Sequence, residues 1–142
     1  MKVEICVTSV DAAKIAERAG ADRLELCSEL AVGGVTPSAG LLEAIRDTVA
    51  IPVHVLIRPR RGNLAYSKPT LSQMLRDFSY CRKLVFDGIV TGCLLSDNRL
   101  DRVGMERLVE ACGDLHLTFL RAFDRIPDWE AALSDLEVLG ID

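Results

Sequence analysis

The chain has 142 residues, of which 49% are hydrophobic and 27% charged, and its formal net charge is -4. This length is typical of one domain, and the composition is that of a globular protein rather than a disordered one. The negative charge argues against a nucleic-acid partner, which requires a dense basic face. No apolar run approaches the ~18 residues of a membrane span and no signal peptide is evident, so we expect neither a membrane protein nor a secreted one.

Five cysteines form an odd set without a C-x-x-C pair. They are Cys6, Cys27, Cys81, Cys93 and Cys112. This pattern suits reduced thiols in a cytoplasm better than a disulfide framework.

Apolar β-type runs alternate with amphipathic helical patterns along the whole chain. The predicted strands lie at residues 3–7, 23–27, 51–57, 88–95 and 115–120. The predicted helices lie at about residues 12–19, 37–48, 70–84, 102–112 and 128–139. Ser9 or Asp11 can cap the first helix, and Thr36, followed by Pro37, is the predicted N-cap of the second. This alternation predicts right-handed βαβ units and a parallel sheet.

Two architectures have this alternation: a doubly wound open sheet, and a (β/α)₈ barrel, which usually needs about 250 residues. Gly20-Ala21-Asp22 ends the first helix and leads into the second strand, and Gly140-Ile141-Asp142 follows the fifth helix in the same way. An open sheet would more naturally end on its last helix. We therefore favour an α/β fold of TIM-like barrel type, truncated after about five βα units. Residues 1–142 would form a single incomplete barrel domain, and the alternative is a five-stranded doubly wound sheet.

A carboxylate and a thiol recur two residues apart in the first two predicted strands. Glu4 precedes Cys6 in one strand, and Glu25 precedes Cys27 in the other. Side chains alternate faces along a strand, so each carboxylate shares a face with its thiol. A buried carboxylate costs several kcal/mol unless it is paired or hydrogen-bonded. The repeated pattern therefore predicts a polar site built on these strands.

Several segments of the chain resemble the CutC family. They are Glu4-Ile5-Cys6-Val7, the run from Gly20 to Ser28, the run from Gly33 to Ser38, Ile57-Arg58-Pro59-Arg60 and Arg121-Ala122-Phe123-Asp124. The resemblance covers all 142 residues. It implies a TIM-like barrel in the cytoplasm that is associated with copper homeostasis and is commonly a homodimer or a larger assembly. Family members have the usual length of this barrel, about 250 residues, so the chain corresponds to their N-terminal part.

One position departs from the family pattern. The family usually has a histidine directly before the Arg-Ala-Phe-Asp motif, and this chain has Leu120 there. A role that depends on that imidazole is lost or moved in this chain.

The first candidate site consists of Cys6 and Cys27. Neighbouring parallel strands lie ~4.8 Å apart, so thiols at matching heights would approach each other. Soft thiolates with few other ligands favour Cu(I), and the resemblance points to the same pair as copper ligands. The alternative is that both cysteines pack as small hydrophobic residues. The sequence offers no third close His or Cys, which argues against a structural zinc site.

The second candidate site is a set of charged residues near the ends of predicted strands, where barrel active sites lie. Arg58 and Arg121 could bind a carboxylate or a phosphate, Glu25 could act as a general acid or base, and Asp124 completes the set. The chain would then be an enzyme acting on a small anionic metabolite. The alternative is a set of salt bridges inside the barrel. No organic cofactor is indicated; the expected partners are Cu(I) or a small anion, and further copies of the chain.

Overall fold

A computed structural model describes residues 1–141 of the protein. Over these residues five strands alternate with five α-helices. The strands are β1 (Glu4–Val7), β2 (Arg23–Leu26), β3 (Val53–Leu56), β4 (Gly88–Thr91) and β5 (His116–Phe119). The helices are α1 (Val10–Arg18), α2 (Ala39–Arg46), α3 (Lys68–Lys83), α4 (Arg102–Cys112) and α5 (Trp129–Val138). Two 3₁₀ turns, Leu30–Val32 and Arg121–Arg125, follow β2 and β5.

The strands form one parallel sheet in the order β1-β2-β3-β4-β5 across the described residues. Each strand therefore pairs with the next one in the sequence, as in a (β/α) barrel. A flavodoxin-like doubly wound sheet has the order 2-1-3-4-5 instead. The prediction of an α/β fold with five successive units of a TIM-like barrel is confirmed.

The two faces of the sheet have different environments. On the outer face alternate residues of β2, β3 and β4 are completely buried against the helices, which contribute the other half of the hydrophobic core. The strand residues of this core include Leu24, Leu26, Val53, Val55 and Ile89, and the helix residues include Ile45, Met74, Phe78, Met105 and Leu108. Each buried side chain of this size contributes about 1.5–3 kcal/mol. The inner face carries polar and charged residues together with a smaller apolar group that includes Leu56 and Val90.

One row of inner-face positions runs across the whole sheet. Its members are paired in register from strand to strand: Cys6, Glu25, His54, Gly88 and His116. Cys6 of the first carboxylate–thiol pair and Glu25 of the second thus belong to one inner-face row rather than to the helix-packed core.

The N-cap predicted for α2 is wrong. Ser38 occupies this position, and its Oγ accepts a hydrogen bond from the Leu41 backbone N at 3.3 Å. The Thr36 hydroxyl is engaged elsewhere, because its Oγ1 accepts from the backbone N of Arg58 at 2.9 Å. The bounds predicted for α4 are confirmed, and α3 begins two residues earlier than predicted, behind its cap Ser67.

Within residues 1–141, every helix is too short or too polar to cross a membrane.

Candidate functional site

A cleft of about 680 Å³ opens on the inner face of the sheet, towards the C-terminal ends of the strands. This volume lies within the range of small-molecule sites, about 300–1,000 Å³. The cleft is lined by Cys6, Glu25, Arg58, Arg121 and Asp124. The structure thus brings five of the six predicted site residues to one cavity. The sixth, Cys27, lies directly behind Cys6.

The sulfur atoms of Cys6 and Cys27 are 3.4 Å apart. The prediction that they lie at matching heights is wrong, because Cys6 pairs in register with Glu25. Cys27 lies two residues further along, just beyond the end of β2, where its backbone N donates to the Val7 carbonyl at 3.0 Å. The two thiols therefore meet diagonally across the strands. Cys6 is exposed on the cleft wall, whereas Cys27 is only 1% exposed.

Both thiols are held in their protonated form. Burial raises the pKa of Cys27 to about 12, and its hydrogen bond with Cys6 acts in the same direction. Burial also raises the pKa of Cys6, although the hydrogen bond with Cys27 opposes this effect. The nearby carboxylate of Glu25 adds to the rise for both. A metal that binds here must therefore displace thiol protons.

Glu25 lies between Cys6 on β1 and His54 on β3 in the polar row. Burial raises the pKa of its carboxyl group, and the charge of Glu4 raises it further, while Arg23 acts in the opposite direction. Arg23 is itself paired with Glu4. A raised pKa is what a carboxyl group needs in order to donate or accept a proton near neutral pH.

Arg58 is 7% exposed and holds two loops together at the edge of the cleft. Its Nη1 donates to the carbonyl of Val32 at 3.0 Å and to that of Gly34 at 2.8 Å. Its Nη2 donates to the carbonyl of Gly62 at 3.0 Å. Its Nε has no hydrogen-bond partner, and no carboxylate within residues 1–141 forms an ion pair with it. The structure therefore contains a buried positive charge without a counter-ion on this part of the chain.

The packing around Arg58 explains why two consecutive glycines occur in the loop after β2. Gly33 and Gly34 have φ values of +85° and +83°. A Cβ on Gly33 would lie 3.2 Å from Nη1 of Arg58, and a Cβ on Gly34 would lie 2.6 Å from a methyl carbon of Leu56. Both the backbone conformation and the space thus require glycine.

Arg121 and Asp124 lie together at the mouth of the cleft, on the 3₁₀ turn after β5. Their side chains form an ion pair, with 3.0 Å between Arg121 Nε and Asp124 Oδ2. The Arg121 side chain is 94% exposed, so the pair is solvated and free to rearrange. Leu120, in the position of the family histidine, lines the cleft and packs against the apolar group formed by Cys27, Leu56 and Val90.

Two further polar residues, which the sequence analysis did not identify, also line the cleft. Arg125 ends the 3₁₀ turn that carries Arg121, and Thr118 lies on β5, in register with Val90. Period-two alternation counted back from Leu120 would have placed Thr118 on the inner face. Arg125 had no such signal, because its position depends on the turn.

The protein donors available to a metal are few. Across residues 1–141 no group of three or more His, Cys, Asp or Glu side chains is arranged to hold a metal ion. Cys6 and Cys27 are therefore two soft donors without a third protein ligand in the part of the chain that the structure describes. This set does not match the four ligands of a structural zinc site.

Comparison with known proteins gives a consistent result. The model of the CutC family matches residues 1–142. The chain is 45% identical to the family protein CutC of Yersinia pestis (strain Pestoides F), over 99% of this chain and 55% of that protein. It is 42% identical to the family protein CutC of Klebsiella pneumoniae (strain 342), over 98% of this chain and 56% of that protein. The chain thus spans about half the length of these relatives.

Solved structures agree with the fold. The proposed copper homeostasis protein CutC of Streptococcus agalactiae superposes with a TM-score of 0.93 and 35% identity, over 99% of this chain and 70% of that one. A phosphonopyruvate hydrolase in complex with oxalate and Mg²⁺ has a TM-score of 0.68 at 18% identity, over 100% of this chain and 56% of that one. The second likeness concerns the fold alone. From the matched residues and these identities, the chain belongs to the CutC family.

Proposed function

We propose that the chain acts in copper homeostasis and binds Cu(I) between Cys6 and Cys27. The observation that supports this proposal is the 3.4 Å separation of the two sulfur atoms at the wall of an open cleft. Thiolates select Cu(I) over harder divalent ions, and Cu(I) accepts a low number of ligands. Cys6 faces the cleft and would meet an incoming ion first, and Cys27 would complete the site from behind.

A Cu(I) competition titration under reducing conditions tests this proposal, with bicinchoninate as the competing chelator. We expect Cys6→Ser and Cys27→Ser each to lower the affinity about 100-fold, or by roughly 3 kcal/mol, because one soft donor is lost. Cys112→Ser is the matched control, since Cys112 lies on α4 outside the cleft and donates to the Leu115 carbonyl, which a serine hydroxyl could also do. An unchanged affinity in the double variant Cys6→Ser/Cys27→Ser would exclude the thiol site.

We also propose a cytoplasmic location. All five cysteines are free, including the close pair Cys6 and Cys27, and free thiols in this number suit a reducing compartment.

A second candidate function is an enzyme that acts on a small phosphorylated or carboxylated metabolite. The observation in its favour is the buried charge of Arg58, which lines the same cleft as Glu25. In this proposal Glu25 is the general acid or base, and Arg58 and Arg121 orient the anion. The ion pair between Arg121 and Asp124 would break when the anion binds.

A thermal-shift screen against phosphorylated and carboxylated metabolites tests the enzyme proposal. We expect at least one compound to raise the melting temperature, and Arg121→Ala to remove that rise, since Arg121 is solvated and its loss should not unfold the chain. A broad library without a stabilising compound would argue against the enzyme.

A further inference from the structure

The cleft is large enough to bind a ligand much larger than a metal ion. A volume of about 680 Å³ accommodates a small organic molecule, whereas a bare Cu(I) between two thiols fills almost none of it. The wall combines apolar side chains with a few charged ones, as small-molecule sites do. The apolar residues on the wall include Leu30, Val32, Leu56, Leu64, Val90 and Leu120.

The arginine side chains of the cleft favour the binding of an anion. Arg58 is buried without a counter-ion among residues 1–141, and an unpaired buried charge is costly. Arg125 also lines the cleft and forms no ion pair on the described part of the chain. Within the same described residues, Arg121 is paired only with the exposed Asp124. An anionic ligand would supply the missing counter-charge and would find a second cation at the mouth.

The anion site and the thiol pair are neighbours. The carbonyl of Gly34 accepts a hydrogen bond from Arg58 at 2.8 Å. A Cβ built on the same Gly34 would lie 3.6 Å from the Sγ of Cys27. One residue therefore separates the guanidinium group from the buried thiol, and Cys6 opens into the same cleft as Arg58.

We infer that the cleft binds a small thiol that carries carboxylate groups, and that Cu(I) reaches Cys6 and Cys27 as a complex with such a carrier. This inference rests on the proposed copper function. The carboxylates bind on the side of Arg58, Arg121 and Arg125, and the carrier sulfur lies towards Cys6. In the exchange two Cu–S bonds to carrier thiolates break and two to Cys6 and Cys27 form. The two cysteine protons pass to the departing thiols, and no electron is transferred.

The first test compares two carriers in an anaerobic stopped-flow measurement of Cu(I) transfer. Glutathione supplies carboxylates, and 2-mercaptoethanol is a neutral thiol. The double variant Arg121→Ala/Arg125→Ala removes two exposed charges and should fold normally. We expect it to slow transfer from the glutathione complex about tenfold and to leave transfer from the mercaptoethanol complex unchanged.

Arg107→Ala is the matched control, because Arg107 is an exposed arginine on α4 outside the cleft. It should leave both rates unchanged. Equal slowing of both carriers by the double variant, or no slowing of either, would overturn the inference.

The second test separates the carrier site from the copper site. Glutathione is titrated into the metal-free protein and binding is followed by NMR chemical shifts, with Arg58→Lys as the variant that keeps the charge but loses the planar fork. We expect saturable binding that Arg58→Lys weakens severalfold. No saturable binding would overturn the inference even if Cys6 and Cys27 bind Cu(I). Conversely, if the chelator titration shows that the protein has no copper site, the binding of glutathione to the metal-free protein still tests the anion site.

Discussion

His54 is an unusual residue at the centre of the polar row. It is 3% exposed, its ring centroid is 4.9 Å from that of His116, and its Nδ1 has no hydrogen-bond partner among residues 1–141. Gly88 on the adjacent strand makes room for it, since a Cβ there would lie 2.6 Å from two atoms of the imidazole. The side chain is therefore fixed by its surroundings and isolated from water.

This isolation predicts a pH-dependent stability. Burial lowers the pKa of His54 from 6.5 to about 4; the charges of Arg23 and His116 act in the same direction, and those of Glu4 and Asp87 oppose them. The unfolded chain takes up a proton near pH 6.5 and the folded chain only near pH 4. The contribution of neutral His54 is therefore complete above pH 6.5 and is lost as the pH falls towards 4, by up to about 3 kcal/mol.

Urea unfolding between pH 4 and pH 8 measures this effect. His54→Phe keeps a planar ring and cannot take up a proton, so its free energy of unfolding should decline less than that of the wild type below pH 6.5. The difference between the two curves isolates His54 from the carboxylates, which titrate in both proteins. Parallel curves would show that His54 does not cause the decline.

At the level of elements, the alternation of apolar runs was sufficient to predict all five strands and all five helices. α4 was predicted most accurately because both of its ends carry local signals, the side-chain cap Asp101 and Gly113. The strands are shorter than predicted: the run at 51–57 gives Val53–Leu56, and the run at 88–95 gives Gly88–Thr91. Apolar runs continue past the paired residues because the chain stays buried as it leaves the sheet.

The register between strands could not be predicted from the sequence. The register depends on the height at which each helical crossover brings the chain back into the sheet. Two registers that differ by two residues place every side chain on the same face, so the pattern of faces does not distinguish them. Cys6 therefore pairs with Glu25 rather than with Cys27, although the sulfur atoms of the two cysteines lie 3.4 Å apart. The hydrogen bonds from Arg58 to Val32, Gly34 and Gly62 could not be predicted either, because they depend on loop conformations with positive φ.

At the level of the whole molecule, the sheet of residues 1–141 has two open edges, β1 and β5. The β1 edge is also apolar: Val3, Ile5 and Ile15 are 41%, 39% and 58% exposed. They line a groove of about 410 Å³ between β1 and α1. Open parallel edges with exposed apolar residues favour pairing with another chain.

We therefore predict that the chain self-associates through the β1 edge, with the β5 edge of a second copy as the complementary surface. Light scattering should give a mass that is a multiple of 15.6 kDa and that rises with concentration. Ile15→Glu should lower the association constant at least about tenfold, since it places a charge in the apolar groove. Val103→Glu is the matched control, because Val103 is 69% exposed on α4 and does not line the groove between β1 and α1. A stable 15.6 kDa monomer at high concentration would contradict this prediction, and equal effects of the two variants would exclude the β1 edge as the interface.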